Sequence, residues 1–153
     1  IYDEAFRYCI RLKNIFIPNS VIKIHNYVFE NNINLSKIKI PNSVIYIGEN
    51  SFSDCKKLKN IKLSNNIDSI KSGTFYNCNN LKYIEIPNSV KYIYPYTFLN
   101  CKKLNYVSFS KNILNLEDQI FVKCNIKYIY ISNKKNINND SFYKCKIDNI
   151  TSN

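Results

Sequence analysis

Six cysteines carry most of the chemical potential of this chain. Cys9, Cys55, Cys78, Cys101, Cys124 and Cys145 could bind zinc, pair as disulfides or act as thiols. A zinc site needs ligands that converge on one ion, typically through a C-x₂₋₄-C pair, and the sequence has no such pair. Asp3/Glu4 and Glu117/Asp118 are neighbours in sequence, which places them poorly for shared acid–base work. His25 is the only histidine and follows an apolar Ile24. It is expected to face solvent, with no Cys or Ser beside it to make a catalytic pair. No catalytic residue, no metal site and no cofactor is therefore assigned.

The cysteines are spaced by the same rule as everything else. Phe recurs at 6, 29, 52, 75, 98 and 121, always 23 residues apart, and then at 142. Each Cys follows its Phe by three, and Asn32 fills the slot that lacks one. Leu12, Leu35, Leu58, Leu81 and Leu104 come six after the Phe, and the last two units lose a residue there to place Ile126 and Ile147. The unit is F-x-x-C-x-x-L-x-x-I-x-I-P-x-S-V-x-x-I-x-x-x-x. A fixed period of this length is the mark of a solenoid, in which each coil buries its apolar positions against its neighbours.

The elements of a coil follow from the pattern. The end of L-x-x-I-x-I alternates inward and outward with β-branched residues inside, so it is a short strand. Stacking turns these strands into a parallel sheet with rungs about 4.8 Å apart. Pro18, Pro41 and Pro87 close the strand because proline has no N–H for the ladder, and Ser64, Ser110 and Ser132 replace them in the other units. F-x-x-C-x-x-L suits a turn of 3₁₀ or short helix, and V-x-x-I a second short extended piece. Facing one way in stacked coils, the cysteines read as small buried hydrophobes and core thiols rather than disulfides. The alternation of Cys with Asn32 suggests that each also bonds a backbone group of the adjacent coil.

The 153 residues, 18.1 kDa, make one domain of ordinary size. An apolar share of 45% excludes a disordered tail, and no apolar run is long enough to cross a bilayer. Net charge is +11, with 26 Asn, 25 Ile and 20 Lys, a composition that AT-rich codons also produce. The chain opens on Ile1 without a secretory signal pattern, which is the expectation for one solenoid of about six and a half repeats cut from a longer protein.

Units such as Phe75, Cys78, Leu81, Ile84, Ile86, Pro87, Ser89, Val90 and Ile93 resemble the BspA-like, Treponema-type class of leucine-rich repeat proteins, and the resemblance covers the whole chain. It implies a leucine-rich repeat solenoid with short parallel strands on the concave face and turns, short extended pieces and 3₁₀ or short helical segments elsewhere. It implies that Ser20, Ser43, Asn66, Ser89 and Asn112 form an internal polar ladder satisfying turn amides. The family often has glycine after the second Ile, where this chain has Gly48 but otherwise His25, Lys71, Tyr94, Glu117 and Asn138, so the shape of that corner is open. Lys134 and Lys135 fall where the shortened units lose a Val, and a looser stack is expected there.

The outward strand positions form the candidate partner surface: Lys13, Phe16, Lys37, Lys39, Lys59, Lys62, Lys82, Tyr83, Tyr106, Lys127, Tyr128 and Tyr130. Lysines gather in the first half and tyrosines, which combine contact area with a polar tip, in the second. Lysine also solubilises an exposed sheet and tyrosine also prefers strands, so both accounts stay open. The resemblance implies a non-catalytic recognition module, part of a surface or secreted adhesin, whose partner is a protein or an anionic glycan. The alternative is a cytoplasmic scaffold or regulatory protein of an AT-rich eukaryotic microbe, which unpaired cysteines would suit. Nucleic acid is an unlikely partner because no aromatic-basic motif accompanies the charge. The exposed ends of a solenoid also raise end-to-end self-association.

Overall fold

The computed structural model describes residues 1–109, 111–131 and 139–151. They form a stack of near-identical coils. In chain order the strands are β1 (Lys23–Ile24), β2 (Lys37–Lys39), β3 (Tyr46–Ile47), β4 (Asn60–Lys62), β5 (Ser69–Ile70), β6 (Tyr83–Glu85), β7 (Tyr92–Ile93), β8 (Tyr106–Ser108), β9 (Asn115–Leu116), β10 (Asn125–Tyr130) and β11 (Lys146–Thr151). All pairing is parallel and steps from one coil to the next. The concave strands pair as β2–β4 and as β6–β8–β10–β11, and the V-x-x-I pieces as β1–β3 and β5–β7–β9. Register follows the 23-residue period, with Ile38 opposite Ile61 and Ile84 opposite Val107. The fold is thus the parallel-strand solenoid that the spacing predicts.

The core is a set of columns. Phe6, Phe29, Phe52, Phe75, Phe98, Phe121 and Phe142 stack face over face, with centroids 5.1 to 5.7 Å apart and planes within 16° of parallel. That is the offset stacking aromatic rings prefer. Beside them run the buried Leu column (Leu35, Leu58, Leu81, Leu104) and the two Ile/Val columns of the strands.

The Phe turn departs from the expected helix. Among the described residues 3₁₀ helix occurs only at Asn139–Phe142. Elsewhere the residues two before and two after each Phe are left-handed, for example Tyr27 and Asn31 at φ 58° and 59°, and Tyr96 and Asn100 at 59° and 63°. These reversals break any helix after one turn. They also aim alternate N–H groups at the next coil: Tyr27 donates to Glu49 O at 2.9 Å, Phe29 to Ser51 O at 2.8 Å and Asn31 to Ser53 O at 2.9 Å. A left-handed L-residue costs on the order of 1 kcal/mol, which these inter-coil bonds offset. The corner that usually takes glycine keeps one at Gly48, where a Cβ would come within 2.6 Å of the His25 backbone. No residue of that slot has positive φ among the described residues, so His25, Lys71 and Tyr94 are tolerated.

Two further features were not anticipated, and one expectation falls on residues outside the described ones. The shortened last units do not lose strand pairing: deleting the residue before Ile126 and Ile147 removes a turn, and β10 and β11 pair over Asn125–Tyr130 instead of three residues. Lys134, Lys135, Asn138, Ser110 and Ser132 lie outside the described residues. Finally, a buried hydroxyl slot just before the Phe went unread. Thr74 Oγ1 donates to Lys71 O at 2.7 Å and Thr97 Oγ1 to Tyr94 O at 2.6 Å, closing the corner from inside.

Of the six thiols, Cys55, Cys78, Cys101 and Cys124 are buried, and all six are unpaired. Each buried Sγ reaches back to a Phe carbonyl one coil earlier: Cys55 to Phe29 O and Cys78 to Phe52 O at 3.2 Å, Cys101 to Phe75 O at 3.1 Å, Cys124 to Phe98 O at 3.0 Å. Asn32 Nδ2 makes the same bond to Phe6 O at 2.8 Å. Cys9 is the exception to the core-thiol expectation. It is exposed, because in the first coil no Phe carbonyl lies behind it. Cys145 is only half-buried, and its Sγ points to its neighbour's carbonyl, Lys146 O, instead. Native thiol titration should therefore give two reacting groups, Cys9 quickly and Cys145 more slowly, with four more released only by denaturant. Six fast thiols in the native protein would contradict this packing.

Candidate functional site

The concave strands present alternate side chains to solvent because their partners at Ile38, Ile61, Ile84, Val107 and Ile129 point into the core. They line an open groove of about 910 Å³. Its walls carry Lys37, Lys39, Lys62 and Lys111, with Tyr83 and Tyr130 toward the later coils. Glu85 is the only acidic residue in the lining. Lys39 and Lys62 are register partners on adjacent strands, as are Lys37 and Asn60. Like charges one rung apart, about 4.8 Å, sit within the roughly 8 Å screening length of physiological salt. The groove is therefore electropositive at its β2–β4 end and aromatic at its far end.

The expected partner surface divides in two. Lys37, Lys39, Lys62, Tyr83 and Tyr130 line the groove. Tyr106 and Tyr128 continue the Tyr83 column in strand register, both exposed, without lining it. Phe16, 85% exposed, belongs to the first coil, where Asn14 alone makes a bridge to Lys37. Lys13, Lys59, Lys82 and Lys127 do not line the groove. Lys13, Lys59 and Lys82 directly follow the Leu that precedes the strand and emerge at its edge, whereas Lys127 lies within β10. Missed were Asn65, Asn88 and Lys111 on the far wall. Their slot, three past the last residue of β2, β4, β6 and β8, holds Asn42, Asn65, Asn88 and Lys111, with Asn19 in phase, a period that was visible in the sequence.

The polar ladder beneath the groove runs differently from the expectation. Its members donate to carbonyls of the preceding coil instead of satisfying amides: Ser43 Oγ to Val21 O at 2.8 Å, Asn66 Nδ2 to Asn42 O at 2.7 Å, Asn112 Nδ2 to Asn88 O at 2.8 Å. The turn amides are already used, since Val44 N donates to Pro41 O and Val90 N to Pro87 O. Ser20 is exposed in the first coil, and Ser89 Oγ is buried without a partner. Ser64 enters from the proline slot, donating to Val44 O at 2.6 Å and accepting from Asn66 N.

His25 is half-buried between Tyr2 and Tyr46, with Asp3 3.9 Å from its Nδ1. No cysteine or serine hydroxyl contacts it among the described interactions. Among the described residues no three His, Cys, Asp or Glu side chains converge as metal ligands, and no helix is long and apolar enough to cross a membrane.

The solenoid fold recurs in known proteins. A leucine-rich cell-surface protein of Faecalibacterium prausnitzii superposes over 80% of this chain with TM-score 0.77 and 27% identity. The pneumococcal vaccine antigen PcpA superposes over 92% with TM-score 0.75 and 24% identity, and a T. pallidum leucine-rich repeat protein over 77% with TM-score 0.71 and 21% identity. The chain spans 33%, 36% and 58% of the lengths of these three. No curated protein matches it in sequence. The model of the BspA-type leucine-rich repeat region matches in six copies, over residues 1–52 and 23–148. The chain belongs to the BspA-type leucine-rich repeat family.

Proposed function

We propose that the solenoid is a non-catalytic recognition module of a surface or secreted adhesin, and that it holds an acidic protein segment in its concave groove. One observation carries this reading: four lysines and one glutamate line a single open groove whose far end is tyrosine. Lysines held within a screening length of one another are mutually repulsive until an anionic partner arrives, and the same field speeds encounter. Leucine-rich repeat proteins are generally recognition modules, and the F. prausnitzii relative is described as a cell-surface protein.

The test uses a glutamate-rich peptide as probe. Affinity for the wild-type chain should fall several-fold between about 50 and 200 mM salt. Lys39→Glu with Lys62→Glu should weaken it on the order of tenfold or more, and Tyr83→Ala should raise the off-rate while leaving the salt slope intact. An unchanged affinity in the double reversal would remove the groove from the account. The second reading, a cytoplasmic scaffold, is favoured by six cysteines that are all unpaired. Protease shaving of intact cells separates the two, since only a surface protein is cut.

A further inference from the structure

The edge where Lys59 and Lys82 emerge is itself organised. It runs along the corner between each Cys and the start of the concave strand. Lys56, Lys57 and Lys59 occupy it in one coil, Lys82 in the next, and Lys102 and Lys103 in the one after, all exposed. From Ile10 through Asn105 the positions one, two and four after each Cys slot contain no Asp or Glu. The preceding corner, between the second sheet and the Phe turn, has the opposite character: it carries Asp3, Glu4, Glu49, Glu117, Asp118 and Asp140 against the single Lys71. A codon bias raises the number of lysines, but it cannot sort lysines and carboxylates to different corners of a coil.

The lysines here are also positioned. Lys57 Nζ donates to Asn34 Oδ1 at 2.7 Å, and Asn34 Nδ2 is fixed on Ile10 O at 2.7 Å. Two coils on, the same relay repeats: Lys103 Nζ donates to Asn80 Oδ1 at 2.8 Å, and Asn80 Nδ2 to Lys56 O at 2.7 Å. The acceptor is a neutral amide in both cases. Each ammonium is thus held in place with its charge uncompensated and two N–H donors left to give. Only Lys56 has a carboxylate, Asp54 at 3.8 Å. The two fixed ammonium groups stand two rungs apart, roughly 10 Å from twice the strand spacing, which exceeds the screening length and limits their repulsion.

We infer that this corner is a docking strip for a linear sulfated or uronate-bearing polysaccharide lying along the solenoid axis. Two held cations two coils apart, with the exposed Lys82 on the coil between, fit an extended polyanion lying along the axis. The strip has Ile10 and Ile33 as its only apolar members and no aromatic residue. It therefore lacks the buried anchors that make a protein hot spot and the stacking platforms that hold single-stranded nucleic acid. The strip is separate from the groove, and its failure would leave the groove's role untouched.

The probe is a heparin oligosaccharide, titrated against the wild-type chain at physiological salt. Lys57→Gln with Lys103→Gln should raise its Kd on the order of tenfold, the loss of about 1.4 kcal/mol. Lys23→Gln with Lys91→Gln removes the same net charge from the second-sheet side and should change it by less than about twofold. All four side chains are exposed, so thermal melts should confirm intact folds. Equal losses in the two variants would reduce the effect to net charge and overturn the proposal, as would no loss in the first. Single-stranded DNA of matched charge should bind more weakly than heparin, and equal or tighter DNA binding would overturn the choice of a polysaccharide.

Discussion

Phe75→Ala should destabilise the solenoid by about 3 to 5 kcal/mol, the range for emptying a buried aromatic site. Phe75 is fully buried and stacks on both sides, on Phe52 at 5.7 Å and on Phe98 at 5.4 Å. Its removal leaves a cavity between two coils that strand pairing holds at a fixed spacing, so collapse is restricted. It also ends two ring pairs, each contributing about 0.5 to 1.5 kcal/mol beyond buried area. Phe6→Ala is the internal comparison. Phe6 is only partly buried and stacks on Phe29 alone, at 5.5 Å. Its loss should cost less than half as much in urea denaturation. Comparable losses at both positions would mean that the coils do not behave as nearest-neighbour units.

Stability should fall steeply above about pH 8.5, and the buried thiols should be a main reason. Burial pushes Cys55, Cys78, Cys101 and Cys124 well above the ordinary thiol range, only partly countered by backbone hydrogen bonds. The half-buried Cys145 is pushed up to about 11 by the same cause. In the unfolded chain each would titrate near about 8.5, the ordinary value of a free thiol. Because the folded values are raised, the thiol contribution is complete below the unfolded value and is lost as pH rises toward the folded ones: the unfolded chain releases protons that the native core retains. Each fully buried thiol then removes about 1.4 kcal/mol per pH unit, so the four together remove on the order of 5 kcal/mol per unit.

Tyrosines and lysines begin to titrate in the same range, which makes a variant the proper reference. Cys78→Ala should start lower at pH 7, since Phe52 O loses its donor. Its stability should then decline less steeply between pH 8.5 and 10, by about 1.4 kcal/mol per unit. Identical slopes for wild type and variant would exclude the thiols as the source.

Much of this molecule is legible in one dimension because a solenoid makes sequence distance into spatial distance. Residues 23 apart are neighbours, so the Phe column, the Leu column and the strand register could be read directly from the spacing of Phe29, Phe52 and Phe75. Asn32 occupying a Cys slot suggested that both residue types bond a backbone group of the adjacent coil, and the structure identifies that group as the Phe carbonyl. Periodicity alone could not say which way an outward side chain leaves the coil. Lys59 and Lys62 both follow a buried residue, yet Lys62 lines the groove and Lys59 leaves at the edge, because the strand begins only at Asn60.

The left-handed residues flanking each Phe were hidden for a related reason. Tyr27, Tyr96 and Gln119 carry no signal for positive φ, and only the demand that their neighbours' N–H groups reach the next coil puts them there. The sequence by itself determined the repeat, its apolar columns, the parallel register and the family. The tertiary structure decided the handed turns, the direction of the polar ladder, the exposure of Cys9 at the end of the stack and the separation of the lysines into a groove and a ridge. The first group depends on spacing along the chain, which a period fixes. The second depends on where backbone hydrogen bonds find partners on the adjacent coil, which exists as a surface only after the coils have stacked.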